Sequence, residues 1–404
     1  MDFAMSSTTI IGGGIAGFTL ASELRSRGYA GEITIIDPNG LPYDRPPLSK
    51  EILSGEKNAE QLLLAPRSWY EEQGVNVVRG QVGRIAPENR ELVMEDGSTR
   101  GYDNLVLATG GIPRNIPAFE HLSVFVLRTV EDAENLKKVL TKGVHLAIVG
   151  AGLIGAEVAS SARELGAEVT LIDPAPIALV PALGEELARR LHALHKANGV
   201  HTITGLTTSI EHTEHGYAIT IDGHDAVQAD YVLLAVGIVP EERLARSAGL
   251  DCDGGVLVDY AQRTSLENIW AIGDCARTRN EDGTLLRRHE HWESAVFEAQ
   301  TAAASITGQE LPQHGAAWFW TDRYGVHVEG VGSMTEEGET VLRPNKHGEP
   351  EVAFRVRPDG TLAGCAAIDN GMAVRAARRI IDRRIVVAPE QLRDPNVNLK
   401  KLAR

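Results

Sequence analysis

Two glycine clusters carry the first chemical signal in this 404-residue sequence. Gly12, Gly14 and Gly17 follow the β-branched run Thr8–Ile11, and Gly150, Gly152 and Gly155 follow Leu146–Val149. Each cluster stands where a strand should turn into a helix. In such a turn the first glycine permits the tight bend, the second lets the backbone approach a pyrophosphate, and the third lets helix and strand pack closely. The helix N-terminus then presents N–H groups to phosphate charge. About 20 residues after each cluster a strand ends in an acid, Asp37 or Asp173, where a carboxylate accepts hydrogen bonds from ribose hydroxyls. One such motif is weak evidence. Two, each between a strand and a helix and each with its acid, point to a duplicated dinucleotide-binding module. Asp173 also disfavours a 2′-phosphate, and Pro174-Ala175-Pro176-Ile177 behind it supplies no Arg or Lys. NADH is therefore expected over NADPH.

These residues need a frame. Helical spacing through Leu20 and Leu24 to a stop at Gly28, then the apolar run 33–37, completes one βαβ unit. An Ala-rich helix to about Leu165 and the run 169–173 complete the second. The apolar runs 105–110 and 232–237 read as each module's returning strand, and Gly111-Ile112-Pro113 and Ile238-Val239-Pro240 as chain breaks. Asn268–Ala271 reads as a strand leading into Gly273-Asp274, and 292–306 as a helix with small residues at helical spacing. From Trp318 short alternating runs and turns predict a small antiparallel sheet. A helix over about 372–382 and a polar tail over 393–404 follow. The expected fold class is α/β: two Rossmann-like dinucleotide-binding domains plus a C-terminal α+β domain.

Composition narrows the function classes. Forty basic against 55 acidic residues give a net charge of −15, a poor basis for nucleic-acid binding. The three cysteines, Cys252, Cys275 and Cys365, form no close pair, which argues against a disulfide framework or a Cys-rich metal site. The thirteen histidines form no metal set, and His192 and His195 read as a solvated helix face. No apolar run approaches the ~20 residues of a membrane span. Residues 1–7 lack the basic and apolar regions of a leader, so a cytoplasmic chain is expected.

Taken with the two glycine units, the stretch from Thr264 through Ala271-Ile272-Gly273-Asp274 resembles the two-dinucleotide-binding-domain flavoprotein reductases, over essentially the whole chain. Three stretches narrow the resemblance: Tyr43-Asp44-Arg45-Pro46-Pro47-Leu48-Ser49-Lys50, His289-Glu290-His291-Trp292-Glu293-Ser294-Ala295 and Trp318-Phe319-Trp320-Thr321-Asp322. They are similar to the NADH-dependent ferredoxin reductases of bacterial oxygenase systems, the putidaredoxin reductase and biphenyl dioxygenase ferredoxin reductase type. The resemblance implies an FAD-binding domain over 1–113 and 241–316, an NAD-binding domain over 114–240 and a C-terminal interface domain over 317–404. For FAD it implies Gly12, Gly14, Ala16, Gly17, Asp37, Arg45, Lys50, Val82, Thr109, Gly110, Arg128, Asp274 and Trp292. For NAD it implies Gly150, Gly152, Leu153, Ile154, Glu157, Asp173, Gly237 and Glu290. Lys50, Glu157 and Trp320 stand as catalytic residues: the lysine near flavin N5 and paired with the glutamate, the tryptophan on the face used for ferredoxin.

The implied activity is hydride transfer from NADH to FAD, then single electrons to a [2Fe–2S] ferredoxin that feeds an aromatic-ring dioxygenase or a cytochrome P450. Nine Lys/Arg against three acids from Gly371 to Arg404 suit a small acidic partner. The chain is expected as a monomer or weak dimer. Three alternatives stay open. One is a reductase for rubredoxin or a nitrite reductase module. Another is an NADH oxidase or peroxidase, against which the lack of any Cys before Cys252 argues. The third is an NADH-responsive flavoprotein of the apoptosis-inducing-factor type.

Overall fold

The computed structural model describes residues 6–120 and 122–404, so residues 1–5, part of the stretch read above for a leader, lie outside it. The chain divides into two compact units, each assembled from separated segments.

The first unit combines the described residues up to Arg45 with 58–112 and 238–314. Its central sheet is parallel, with Thr8–Ile11 flanked by Ile33–Asp37 and Asn104–Leu107, and Val75–Arg79 and Ile269–Ala271 at the edges. Four of the five strands carry continuous β-branched or apolar runs, as strands buried on both faces require. Helices Ile15–Ser26 and Trp292–Ile306 bury Leu20, Ala21, Leu24, Ala295, Ala299 and Ala303 against one face. Alanines on the second helix let the two backbones lie close. The other face packs on the antiparallel strands Val82–Ala86 and Glu91–Met94 and on Leu244 and Leu250. Gly111–Pro113 and Ile238–Pro240, expected as chain breaks, are instead short strands paired with each other. Proline is compatible with such an edge position because it lacks only the donor.

The second unit combines 46–57, 113–237 and 315–404. Its parallel sheet runs His201–Thr204, Glu168–Asp173, His145–Val149, Tyr231–Leu234. A five-stranded antiparallel sheet spans Trp318–Arg323, Val326–Gly332, Leu362–Ile368, Pro350–Val356 and Glu339–Pro344. Helix Gly371–Asp382 covers one face of that sheet, and helix Glu185–Ala197 sends Leu187 and Leu191 onto the other.

Two sequence readings need correction. The tail beyond 393 is not merely polar: Leu399 and Ala403 are buried beside Leu392 against the C-terminal helix. His195 is not on a solvated face. Leu187, Leu191 and His195 form one buried stripe, and the imidazole is 1% exposed. It bonds the Tyr324 hydroxyl at 2.8 Å. Burial, with Arg323 and His192 nearby, pushes His195 down to about 3.

Candidate functional site

In the first unit the loop Gly12–Gly17 has the geometry its chemistry needs. Gly12 adopts φ +111°, and a Cβ there would lie 2.2 Å from the Ala108 carbonyl oxygen. At Gly17 a Cβ would stand 2.0 Å from the Gly12 carbonyl oxygen, so helix and strand meet with no room for a methyl group. Gly14 caps the helix, and the nearest atoms to its missing Cβ belong to the Arg45 guanidinium, 3.7–3.9 Å away. The Arg45 Nε is buried without a hydrogen-bond partner. A helix N-terminus facing a guanidinium with an unanswered buried donor is a cradle for a phosphate anion. Asp37 fixes the loop, accepting from the Gly13 N–H at 2.7 Å and the Asn39 N–H at 2.8 Å.

The second unit repeats this arrangement. Gly150 has φ +106°, and its Cβ would lie 2.4 Å from the Ala235 carbonyl oxygen. Gly155 would meet the Gly150 carbonyl oxygen at 1.9 Å. Gly152 faces open space, and Leu153 and Ile154 behind it are half-buried in the first helical turn. Asp173 accepts from the Ala151 N–H at 2.7 Å and the Ala175 N–H at 2.8 Å. Gly237 adopts φ +96° with open space around it. The Arg128 N–H donates to Asp132 at the capped start of helix Val130–Val139.

Several other residues singled out from sequence gather in the first unit. The Ala16 methyl packs against Gly273, 3.1 Å from where its Cβ would be, which brings Asp274 beside the first glycine helix. Arg288 donates to the Asp274 carbonyl at 2.6 Å and to Glu290 at 2.7 Å. The Trp292 indole donates to Asp44 at 2.9 Å. Thr109 bonds the Glu241 carbonyl and Gly110 the Glu241 N–H. Val82 is 2% exposed and packs in the core with Ile85 and Leu92. Sequence reasoning missed Glu298, which accepts from the Gly273 N–H at 2.6 Å. Desolvation pushes its carboxyl up to about 8. The signal was an acid inside an alanine-rich helix.

Lys50, Glu157 and Trp320 fall together in the second unit. Glu157 lies on the helix that Gly152 caps, two residues past Gly155, and is 6% exposed. Its oxygens accept from Ser49 Oγ at 2.5 Å, Thr321 Oγ1 at 2.7 Å and the Asp322 N–H at 3.2 Å. Lys50 Nζ lies 3.5 Å from Glu157 and 3.0 Å from Asp322. Burial works against the ammonium, but Glu157 and Asp322 outweigh it and hold Lys50 above the usual lysine range. The Trp320 ring centroid is 5.8 Å from Nζ, and Trp318 stacks on it at 4.8 Å. Asp322 was quoted within a motif but given no role. The hairpin Trp318–Arg323/Val326–Gly332 supplies that role by aiming it at Lys50.

The thiols are quiet. Burial pushes Cys252 up to about 11 and also raises Cys275 and Cys365. Among the described residues no cluster of His, Cys, Asp and Glu is placed to hold a metal, and no helix is long and apolar enough to cross a membrane.

Comparison with known proteins matches residues 6–299 to the family described as pyridine nucleotide-disulphide oxidoreductase and residues 318–403 to the reductase C-terminal family. The chain is 35% identical over 403 residues to the ferredoxin–NAD(+) reductase component of the p-cumate 2,3-dioxygenase system of Pseudomonas putida, covering 99% of each. It is 35% identical over 399 residues to the corresponding component of the anthranilate 1,2-dioxygenase system of Burkholderia cepacia, covering 97% of this chain and 98% of that one. Among solved structures, the covalent putidaredoxin reductase–putidaredoxin complex has a TM-score of 0.92 at 30% identity, covering 99% of this chain and 98% of that one. The ferredoxin reductase for the CYP199A2 system from Rhodopseudomonas palustris has the same score and identity, covering 99% and 100%.

Proposed function

This chain belongs to the pyridine nucleotide-disulphide oxidoreductase family, and from that premise we propose that it is an FAD-dependent NADH:ferredoxin reductase. The observation that carries the reading is the repeated glycine cradle, twice built to the same contacts and twice closed by an aspartate. Two dinucleotides bound by one chain are what an NADH-oxidising flavoprotein needs.

FAD, when bound, accepts a hydride and returns single electrons, the adaptation a [2Fe–2S] acceptor requires. The first unit's residues hold it. Gly12, Gly14 and Gly17 admit the pyrophosphate to the helix N-terminus, with Ala16 in the same turn, and Arg45 donates its free Nε to that charge. Asp37 takes the ribose, while Val82, Thr109, Gly110, Asp274 and Trp292 line the remainder. Arg128 adds a positive charge. In the second unit Gly150, Gly152, Leu153 and Ile154 receive the NADH pyrophosphate, Asp173 its ribose, and Gly237 leaves space beside it. Glu290 serves the nicotinamide end. Lys50, kept protonated by Glu157 and Asp322, supplies a fixed positive charge that stabilises negative charge on the reduced cofactor. Trp320 offers a flat aromatic surface at the acceptor face. No thiol is needed, in keeping with three cysteines held as thiols.

The domain assignment we propose is FAD over 1–113 and 241–316, NAD over 114–240, and an acceptor-facing domain over 317–404. On the last, Met372, Arg375 and Arg379 stand exposed on helix Gly371–Asp382 with Arg383 just past its end, a basic stripe suited to an acidic ferredoxin. The electrons then serve a ring-hydroxylating dioxygenase or a cytochrome P450, in the cytoplasm, with the reductase as a monomer or weak dimer.

Anaerobic stopped-flow mixing with NADH and with NADPH, then with a [2Fe–2S] ferredoxin, tests the reading. The expected result is fast loss of flavin absorbance with NADH, slow loss with NADPH, and rapid ferredoxin reduction. Fast flavin reduction with turnover only on oxygen or peroxide would replace it with an oxidase.

A further inference from the structure

His327 stands directly opposite Asp322 across the hairpin, and its two ring nitrogens face different carboxylates. Nδ1 lies 2.5 Å from Asp322 Oδ1, and Nε2 lies 3.3 Å from Glu329 Oε1. The other Asp322 oxygen is the one 3.0 Å from Lys50 Nζ, and Lys50 continues to Glu157. Glu329, His327, Asp322, Lys50 and Glu157 thus form an unbroken polar chain within the second unit. It links the Glu157 carboxylate, 6% exposed, to an imidazole whose side chain is 43% exposed.

Other groups facing His327 are fixed. Glu329 takes the Trp318 indole N–H at 2.7 Å, and its Oε1 shares the space at Gly371 with the Arg375 guanidinium. Asp369 accepts from the His327 main-chain N–H at 2.8 Å. A neutral imidazole has one N–H and can donate to only one of its two carboxylates, whereas an imidazolium donates to both. Gaining that proton makes the chain one charge more positive and draws part of Asp322's charge away from Lys50.

We propose that Asp322 and His327 are positioning residues for Lys50, and that the surface imidazole, by gaining or losing one proton, sets the charge Lys50 presents to the flavin and so its reduction potential. The inference rests on the reading that Lys50 serves bound FAD. Asp322, held below the usual carboxylate range by the His327 ring and Lys50 against the effect of burial, is already a charged partner for both. The protonated state favours reduced flavin and the neutral state favours release of its electrons.

The test is the midpoint potential of the FAD-loaded full chain, followed by spectroelectrochemistry from pH 5.5 to 9. Wild type should depart from a straight line, with the higher potential on the acid side. His327→Gln should remove that departure, and His327→Lys should hold the acid-side behaviour across the range. A purely structural role would displace the whole curve and keep its shape. A straight wild-type curve, or an inflection that survives in His327→Gln, overturns the inference. Protein that carries no flavin, or whose flavin NADH does not bleach, overturns the reductase reading and this inference with it.

Discussion

Removing the Glu157 side chain is the most informative perturbation of the Lys50 cluster. Its two oxygens answer three neutral donors, Ser49 Oγ, Thr321 Oγ1 and the Asp322 N–H, besides Lys50. In Glu157→Ala all three donors lose their acceptor inside a site 6% exposed. At about 1 kcal/mol for each orphaned donor, the loss is about 3 kcal/mol. Lys50 adds less than a fully broken buried pair would, because Asp322 remains 3.0 Å away. Glu157→Gln keeps the shape and one acceptor but turns an NH2 towards a donor, so about 1–2 kcal/mol is expected. The assay is urea unfolding of the FAD-loaded protein at pH 7, read at the first transition, because a chain of this size need not unfold in one step. A loss below about 0.5 kcal/mol for Glu157→Ala would refute the reasoning, since three buried donors would then be finding other partners.

Four further outcomes follow from the same structure. Gly17→Ala and Gly155→Ala place a methyl about 2 Å from a main-chain oxygen and should each lower stability by about 1–3 kcal/mol. Gly152→Ala meets open space, so its thermal midpoint should stay near wild type while KM for NADH rises, as steady-state kinetics would show. His195 is neutral in the folded chain at any pH above about 3, while an unfolded histidine takes up its proton near pH 6.5. Stability should therefore fall as pH drops below 6.5, by about 2 kcal/mol at pH 5, and His195→Gln should show a shallower acid limb in urea titrations. Asp173→Ala removes the proposed ribose acceptor and should raise KM for NADH about tenfold with kcat little changed, while narrowing the preference over NADPH.

What could be read from sequence was whatever the backbone must obey locally. A strand that turns into a helix within six residues needs glycine where a Cβ would strike the neighbouring strand's carbonyl, and Gly12 and Gly150 do this at 2.2 and 2.4 Å. The acids at Asp37 and Asp173 were legible for the same reason, since each closes its own loop. What stayed hidden depends on register or on which face of a helix is covered. Asp322 and His327 are only five residues apart, yet they pair because the turn between them puts them opposite each other. His195 shares its stripe with Leu187 and Leu191, but a polar residue type masked a periodic signal that was present. Glu298 was hidden likewise among alanines.

The helix Leu153–Glu164 carries a last consequence, for transplantation. Among its small and apolar buried residues stand three polar ones, each with a partner elsewhere: Ser161 bonds the Ser49 carbonyl, Ser160 receives the Tyr324 N–H, and Glu157 grips Thr321. Three rivets thus tie this one helix to two distant stretches of the chain. A chimaera that imports an NADPH-preferring segment over 114–240 alone would tear all three. Grafts that also carry residues 46–57 and 318–324 from the same donor keep the rivets matched, so coenzyme preference in this scaffold is exchanged as a three-piece set.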